Sequence, residues 1–189
     1  MNIFRAVSGI SLAFIAPSFL VAHAEDVVPY VSAETAFMAI EDPNREAEAW
    51  AVCTAAYEIT AQIYAAEQLT AQAQEIHNLS NGAAVGVAMA LMWGVMNDLK
   101  GTDSETAMKR FNSTWDYAKR AMNSLPDAQA TRILADRERL EGTNGGADQF
   151  VRKMAATMKV CADNIESQQV YIDSWRELVK QGLLVLPKE

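Results

Sequence analysis

Apolar residues in this chain recur every three or four positions, not every second one. There is no sustained alternation and no Asn-Gly turn between β-branched runs, so the pattern predicts helices throughout. Asp26 to Tyr30 reads as an extended lead-in containing Pro29. Ser32 is placed to cap a short helix over 33–41, with Glu34 in its first turn. Asp42-Pro43-Asn44 breaks it, and a long helix is expected from Arg45 to His77. On that helix Trp50, Cys53, Tyr57 and Tyr64 share one stripe, beside a second stripe of Val52, Ala56, Ile59 and Ile63. So wide an apolar face fits a helix that touches two neighbours. Asn78 to Gly82 reads as a turn.

The next segment has a different character. Gly82 to Met96 is a run of fifteen residues without a polar side chain. A helix apolar on every side belongs inside a bundle or a membrane, and this run is shorter than the roughly 20 residues of a span. It is therefore read as a central buried helix. Gly82, Gly86, Ala90 and Gly94 recur every fourth residue. Small residues at that spacing form a flat face for close approach, and Trp50 or Trp175 would suit it. Each glycine costs roughly 1 kcal/mol of helix propensity against alanine, which close packing must offset.

Gly101 ends that helix, and Asp103 or Ser104 caps the next, with Glu105 in its first turn. Met108, Phe111, Trp115, Ala118, Met122 and Leu125 form a narrow heptad seam. Pro126 is placed to start a shorter helix, which Gly142 stops. After the loop at 143–146, a final helix is expected from Ala147 to Gln181, with Phe150, Met154, Met158, Cys161, Ile165, Gln168, Ile172, Trp175 and Val179 on its seam. The expected fold is all-α: a single up-and-down helical bundle of four main helices plus short ones, closed by one disulfide.

Composition adds a compartment. Met1 to Ala24 carries a positive start at Arg5, an apolar run from Val7 to Ala16, and Ala22-His23-Ala24 before acidic Glu25-Asp26. This is the layout of a secretory signal cleaved after Ala24, which leaves a helical domain over 25–189 in the periplasm or outside the cell. The mature chain then has a net charge of −9, against −8 for the whole sequence, because the lost segment holds Arg5 and no acid. A net acidic chain with no basic patch argues against nucleic acid and anionic lipid as partners. The only cysteines, Cys53 and Cys161, lie on apolar stripes and are expected to pair, as two cysteines in an exported protein usually do. A loop of that length contributes on the order of 4–5 kcal/mol in the chain-entropy picture.

Candidate chemistry is sparse. After cleavage His77 is the single histidine, beside Glu75 and Asn78 at an expected helix end, where a solvated residue is the simpler reading. No zinc motif, haem motif or phosphate loop occurs. Met89, Met92 and Met96 share a helix face and thioethers suit Cu(I), but methionine is also a core filler, and no metal or cofactor is assigned. Glu41, Asp42, Glu46 and Glu48 form an acidic cluster on expected solvent faces. Between Arg45 and Lys100 there is no Lys or Arg, while basic residues concentrate from 100 to 139. The bundle should thus have one acidic flank and one mixed-to-basic flank.

These features favour an exported, non-enzymatic binding protein of inhibitor, immunity or chaperone type, gripping another exported protein through its surface. The acidic face around Glu46 and Glu48 is the expected contact. The alternative is a small-molecule carrier with an apolar cavity lined by Tyr57, Tyr64, Met89, Trp93 and Trp115.

Overall fold

The computed structural model describes residues 27–32, 35–99 and 101–184, without the side chains of 97 and 98. The signal segment over 1–24 and the helix start at 33–34 lie outside the described residues. Those described form an all-helical bundle with no strand. A single 3-10 turn, Phe37–Ala39, precedes five α-helices: α1 Pro43–Ala66, α2 Thr70–Asp98, α3 Ser104–Glu141, α4 Gly146–Asp163 and α5 Ile165–Lys180.

Asp103 caps its helix as expected, whereas Asp42-Pro43, expected only as a break, opens α1 ahead of the expected start at Arg45. Pro43 stands at the first position of α1, and the Asp42 carboxylate accepts from the Asn44 N–H at 2.9 Å. Asp103 caps α3 by accepting from the Thr106 N–H at 2.9 Å. Five boundaries differ more widely from expectation. The expected helix over 33–41 shrinks to the 3-10 turn. The helix expected from Arg45 to His77 breaks at Glu67 to Leu69, where Gln68 adopts a left-handed φ of 63° and the chain reverses. The expected turn at 78–82 is helical instead. There the buried Ser80 hydroxyl donates to the Thr54 carbonyl at 3.1 Å, and a Cβ on Gly82 would collide with the Gln168 side chain. Polar and small residues at this point serve helix contact, not reversal.

Pro126 lies buried inside a continuous α3 and does not open a new helix. The final helix is divided at Asn164. This buried side chain accepts from the Phe37 N–H at 2.9 Å and donates to the Val160 carbonyl at 2.9 Å, so it ties the 3-10 turn to the break.

Helices α1 and α2 run antiparallel. Pro43 faces Gly94, Trp50 faces Gly86, Thr54 meets Ser80, and Glu58 meets His77. The small-residue face of α2 does what its spacing implies: a Cβ on Gly86 would lie 2.6 Å from Trp50 Cδ2, and one on Gly94 would lie 2.5 Å from Pro43 Cγ. The stretch Thr70–Met96 is long and apolar enough to cross a membrane, and 56% of its most apolar window is buried inside the bundle. Cys53 and Cys161 form a disulfide that joins α1 to α4 inside the core, with Cα atoms 5.6 Å apart. Its presence is consistent with an oxidising, exported compartment.

Candidate functional site

A wide cleft lies where the N-terminal lead-in crosses α3 and α4. Tyr30 anchors that crossing. Its backbone N–H donates to Thr157 Oγ1 at 2.9 Å, its carbonyl accepts from the Arg132 guanidinium at 3.1 Å, and its hydroxyl donates to Asp136 Oδ2 at 2.7 Å. The Lys153 ammonium sits 4.3 Å from the centre of the Tyr30 ring and 2.6 Å from Asp136 Oδ2. Arg139 donates to the other Asp136 oxygen. An ammonium over a ring face and on a carboxylate at once is a strong positional clamp.

Electrostatics follow the contacts. The Lys153 hydrogen bond, with those from Tyr30 and Arg139, holds the Asp136 carboxyl well below the usual carboxylate range, against its partial burial. Burial, and then the neighbouring Asp136, pushes the Tyr30 hydroxyl up. Asp136 is therefore a fixed anion whose two oxygens are both engaged, which leaves it unsuited to take a proton from a substrate.

Around this clamp opens a cleft of about 900 Å³, lined by Arg132, Arg139, Arg152 and Lys153, with Asp136 the one acid among its described lining residues. Arg152 is exposed and pairs with no acid among the described residues. Four cations against one carboxylate make a local positive field in a chain of net charge −8. Guanidinium groups match carboxylates and phosphates in two-point geometry, so the arrangement can hold an anionic group.

The residues singled out in the sequence go elsewhere. Glu48 is exposed, beside Arg45 and Arg132 at a shallow groove. Glu46 is not on a solvent face: it is 5% exposed, and its Oε1 accepts from Trp50 Nε1 at 3.2 Å and from the Tyr171 hydroxyl at 2.7 Å. The two glutamates thus do not form one surface patch, because position 46 lies on the stripe that carries Trp50 and Cys53 inward. His77 is exposed and pairs with Glu58 at 2.9 Å across α1 and α2, which gives Glu58 its neighbour.

The five residues expected round an interior cavity disperse. Tyr57 is buried in the core, where desolvation raises its hydroxyl pKa to about 12 and the oxygen has no hydrogen-bond partner among the described residues. Trp115 packs edge-on against Trp175 with centroids 5.2 Å apart. Tyr64 lies half-buried toward the far end of α1. Met89 and Trp93 meet only at an open groove of about 400 Å³ between α2 and α5.

The cleft residues were partly visible in the sequence. Arg132, Asp136 and Arg139 are spaced four and three on one face of α3, and Gln149, Arg152 and Lys153 follow similar spacing on α4. Nothing local says that the two faces meet, or that Tyr30 closes them from more than a hundred residues away. No family model, curated protein or solved structure matches this chain.

Proposed function

We propose that this is an exported, non-enzymatic binding protein that receives an acidic segment of another protein in the cleft between the lead-in, α3 and α4. The observation that carries the reading is the cluster of Arg132, Arg139, Arg152 and Lys153 round one opening, with Asp136 the one acid among its described lining residues. The clamp at Tyr30 fixes two of these cations before any partner arrives. Pre-ordered charge of one sign lowers the ordering cost of binding and steers an oppositely charged partner. This places the contact on a basic surface, in place of the acidic face around Glu46 and Glu48.

The test is fluorescence anisotropy of a labelled hexaglutamate peptide, with inorganic phosphate as competitor. Saturable binding at low salt should weaken tenfold or more in Arg132→Glu/Arg152→Glu, and should fall steeply as salt rises. Strong competition by phosphate would shift the ligand from an acidic peptide to a free oxyanion. Binding that is indifferent to the double reversal would remove the cleft from the function.

A further inference from the structure

A second site stands apart from the basic cleft. Glu46 is a buried carboxylate with no cationic partner among the described residues. Both of its hydrogen bonds go to Oε1, from Trp50 and Tyr171. A glutamine could accept both bonds without the cost of burying a charge, since buried charges are ordinarily paired. The N-terminal end of α1 offsets part of that cost, because Glu46 is in its first turn.

The same carboxylate lines a small pocket of about 220 Å³ at the junction of α1, α2 and α5. Glu41, exposed on the turn before α1, adds a second acid. Trp93, 45% exposed, contributes an aromatic surface, and Met38 and Ile40 add apolar wall. The α2 residues facing Glu46 are Ala90, Trp93 and Gly94, so that helix brings no cation to it, and α5 brings only the Tyr171 hydroxyl. Acid, aromatic ring and apolar wall around one small space are the elements that recognise an organic ammonium group.

We propose that this pocket binds a primary alkylammonium group, with Glu46 as its counter-ion, Trp93 as its aromatic contact and Glu41 drawing it in. At roughly 30 Å³ per water-sized group, the space takes on the order of seven heavy atoms. That suits a short alkylamine or the end of a lysine side chain, and excludes a bulky ring system. The ammonium would neutralise a buried acid that has no cationic partner among the described residues. The site rests on α1, α2 and α5 and is independent of the cleft reading.

The experiment is an NMR titration of the oxidised protein with n-butylammonium at pH 7.5, following the Trp93 indole N–H and the Met38 methyl group. Saturable shifts at these two groups are expected, with n-butanol, equal in size but uncharged, at least tenfold weaker. Glu46→Gln keeps both hydrogen-bond acceptances and should weaken n-butylammonium tenfold or more. Trp93→Ala, at an exposed position, should weaken it severalfold, and decides the matter should the Glu46 variant fold poorly. Blocked lysine separates the sources: tighter binding than n-butylammonium points to a partner's side chain, weaker binding to a free amine. Absence of saturation, equal binding of n-butanol, or unchanged affinity in both variants overturns the proposal.

Discussion

Replacing Gly86 with alanine should destabilise the protein although it improves helix propensity. Alanine gains roughly 0.8–1 kcal/mol in a helix interior. Against that, the new Cβ would stand 2.6 Å from Cδ2, 2.8 Å from Cγ and 3.0 Å from Cε3 of Trp50. The indole cannot retreat freely. It is fully buried, packs edge-on to Phe37 at 4.8 Å and to Tyr171 at 6.1 Å, and donates to Glu46 at 3.2 Å. Overpacking of this kind costs typically 1–3 kcal/mol, and a shift of the ring would also strain the Glu46 bond. Less the propensity gain, this leaves a net loss of up to about 2 kcal/mol, or up to roughly 8 °C in Tm for a domain of this size. Gly142→Ala is the matched control, because a Cβ there meets nothing nearer than 3.7 Å at an ordinary φ of −75°. Thermal and urea melts of both variants, disulfide intact, give the answer. A Gly86→Ala protein as stable as the parent would refute the idea that the glycine exists for Trp50.

Four other outcomes are expected. Cys53→Ala/Cys161→Ala should lose on the order of 4–5 kcal/mol in denaturant melts, since the bridge spans 108 residues. Glu46→Ala strands the buried Trp50 and Tyr171 donors and should cost about 1–3 kcal/mol for each. Burial raises the Glu46 pKa above its ordinary 4.5, so the folded state binds that proton more tightly than the unfolded chain. Its contribution to stability is therefore complete below 4.5 and declines as pH rises through the raised value; in Glu46→Gln, urea melts from pH 4 to 8 should lack that decline. Asp136 has the opposite sign: its lowered pKa contributes stability above about 3.8 that is lost as pH falls toward the folded value. Asp136→Asn should remove that acid-side loss and speed amide exchange at residues 30–32, where the lead-in is clamped.

Much of this fold was legible because its signals are local. Asp103 announces a helix start, and the glycines of α2 announce close contact. The pairing of Cys53 with Cys161 followed from their number and their place on apolar stripes. The boundaries that misled are those where tertiary contact overrides local preference. Asn78 to Gly82 has turn composition, yet Ser80 and Gly82 are there to meet Thr54 and Gln168. Conversely, nothing in Glu67-Gln68-Leu69 announces a reversal, since Gln68 takes a left-handed conformation with a side chain that does not favour it. Asn164 breaks a helix only because the backbone of Phe37 arrives beside it.

The sites show the same division. Glu46 sits four residues before Trp50 and seven before Cys53, so extending the apolar stripe back one turn would have placed it inside. Its neighbours Glu41, Asp42 and Glu48 gave it the appearance of a solvated acid. The basic cleft draws on α3, α4 and a lead-in distant in sequence, and only its α3 and α4 shares have one-helix signatures.

The most direct measurement of function at the basic cleft is an NMR titration of the oxidised protein with hexaglutamate, observing the arginine side-chain Nε–H resonances. Saturable shifts confined to Arg132, Arg139 and Arg152, with the Tyr30 amide, are the expected result. Shifts centred on other surfaces, or none at low salt, would contradict the assignment of binding to this cleft.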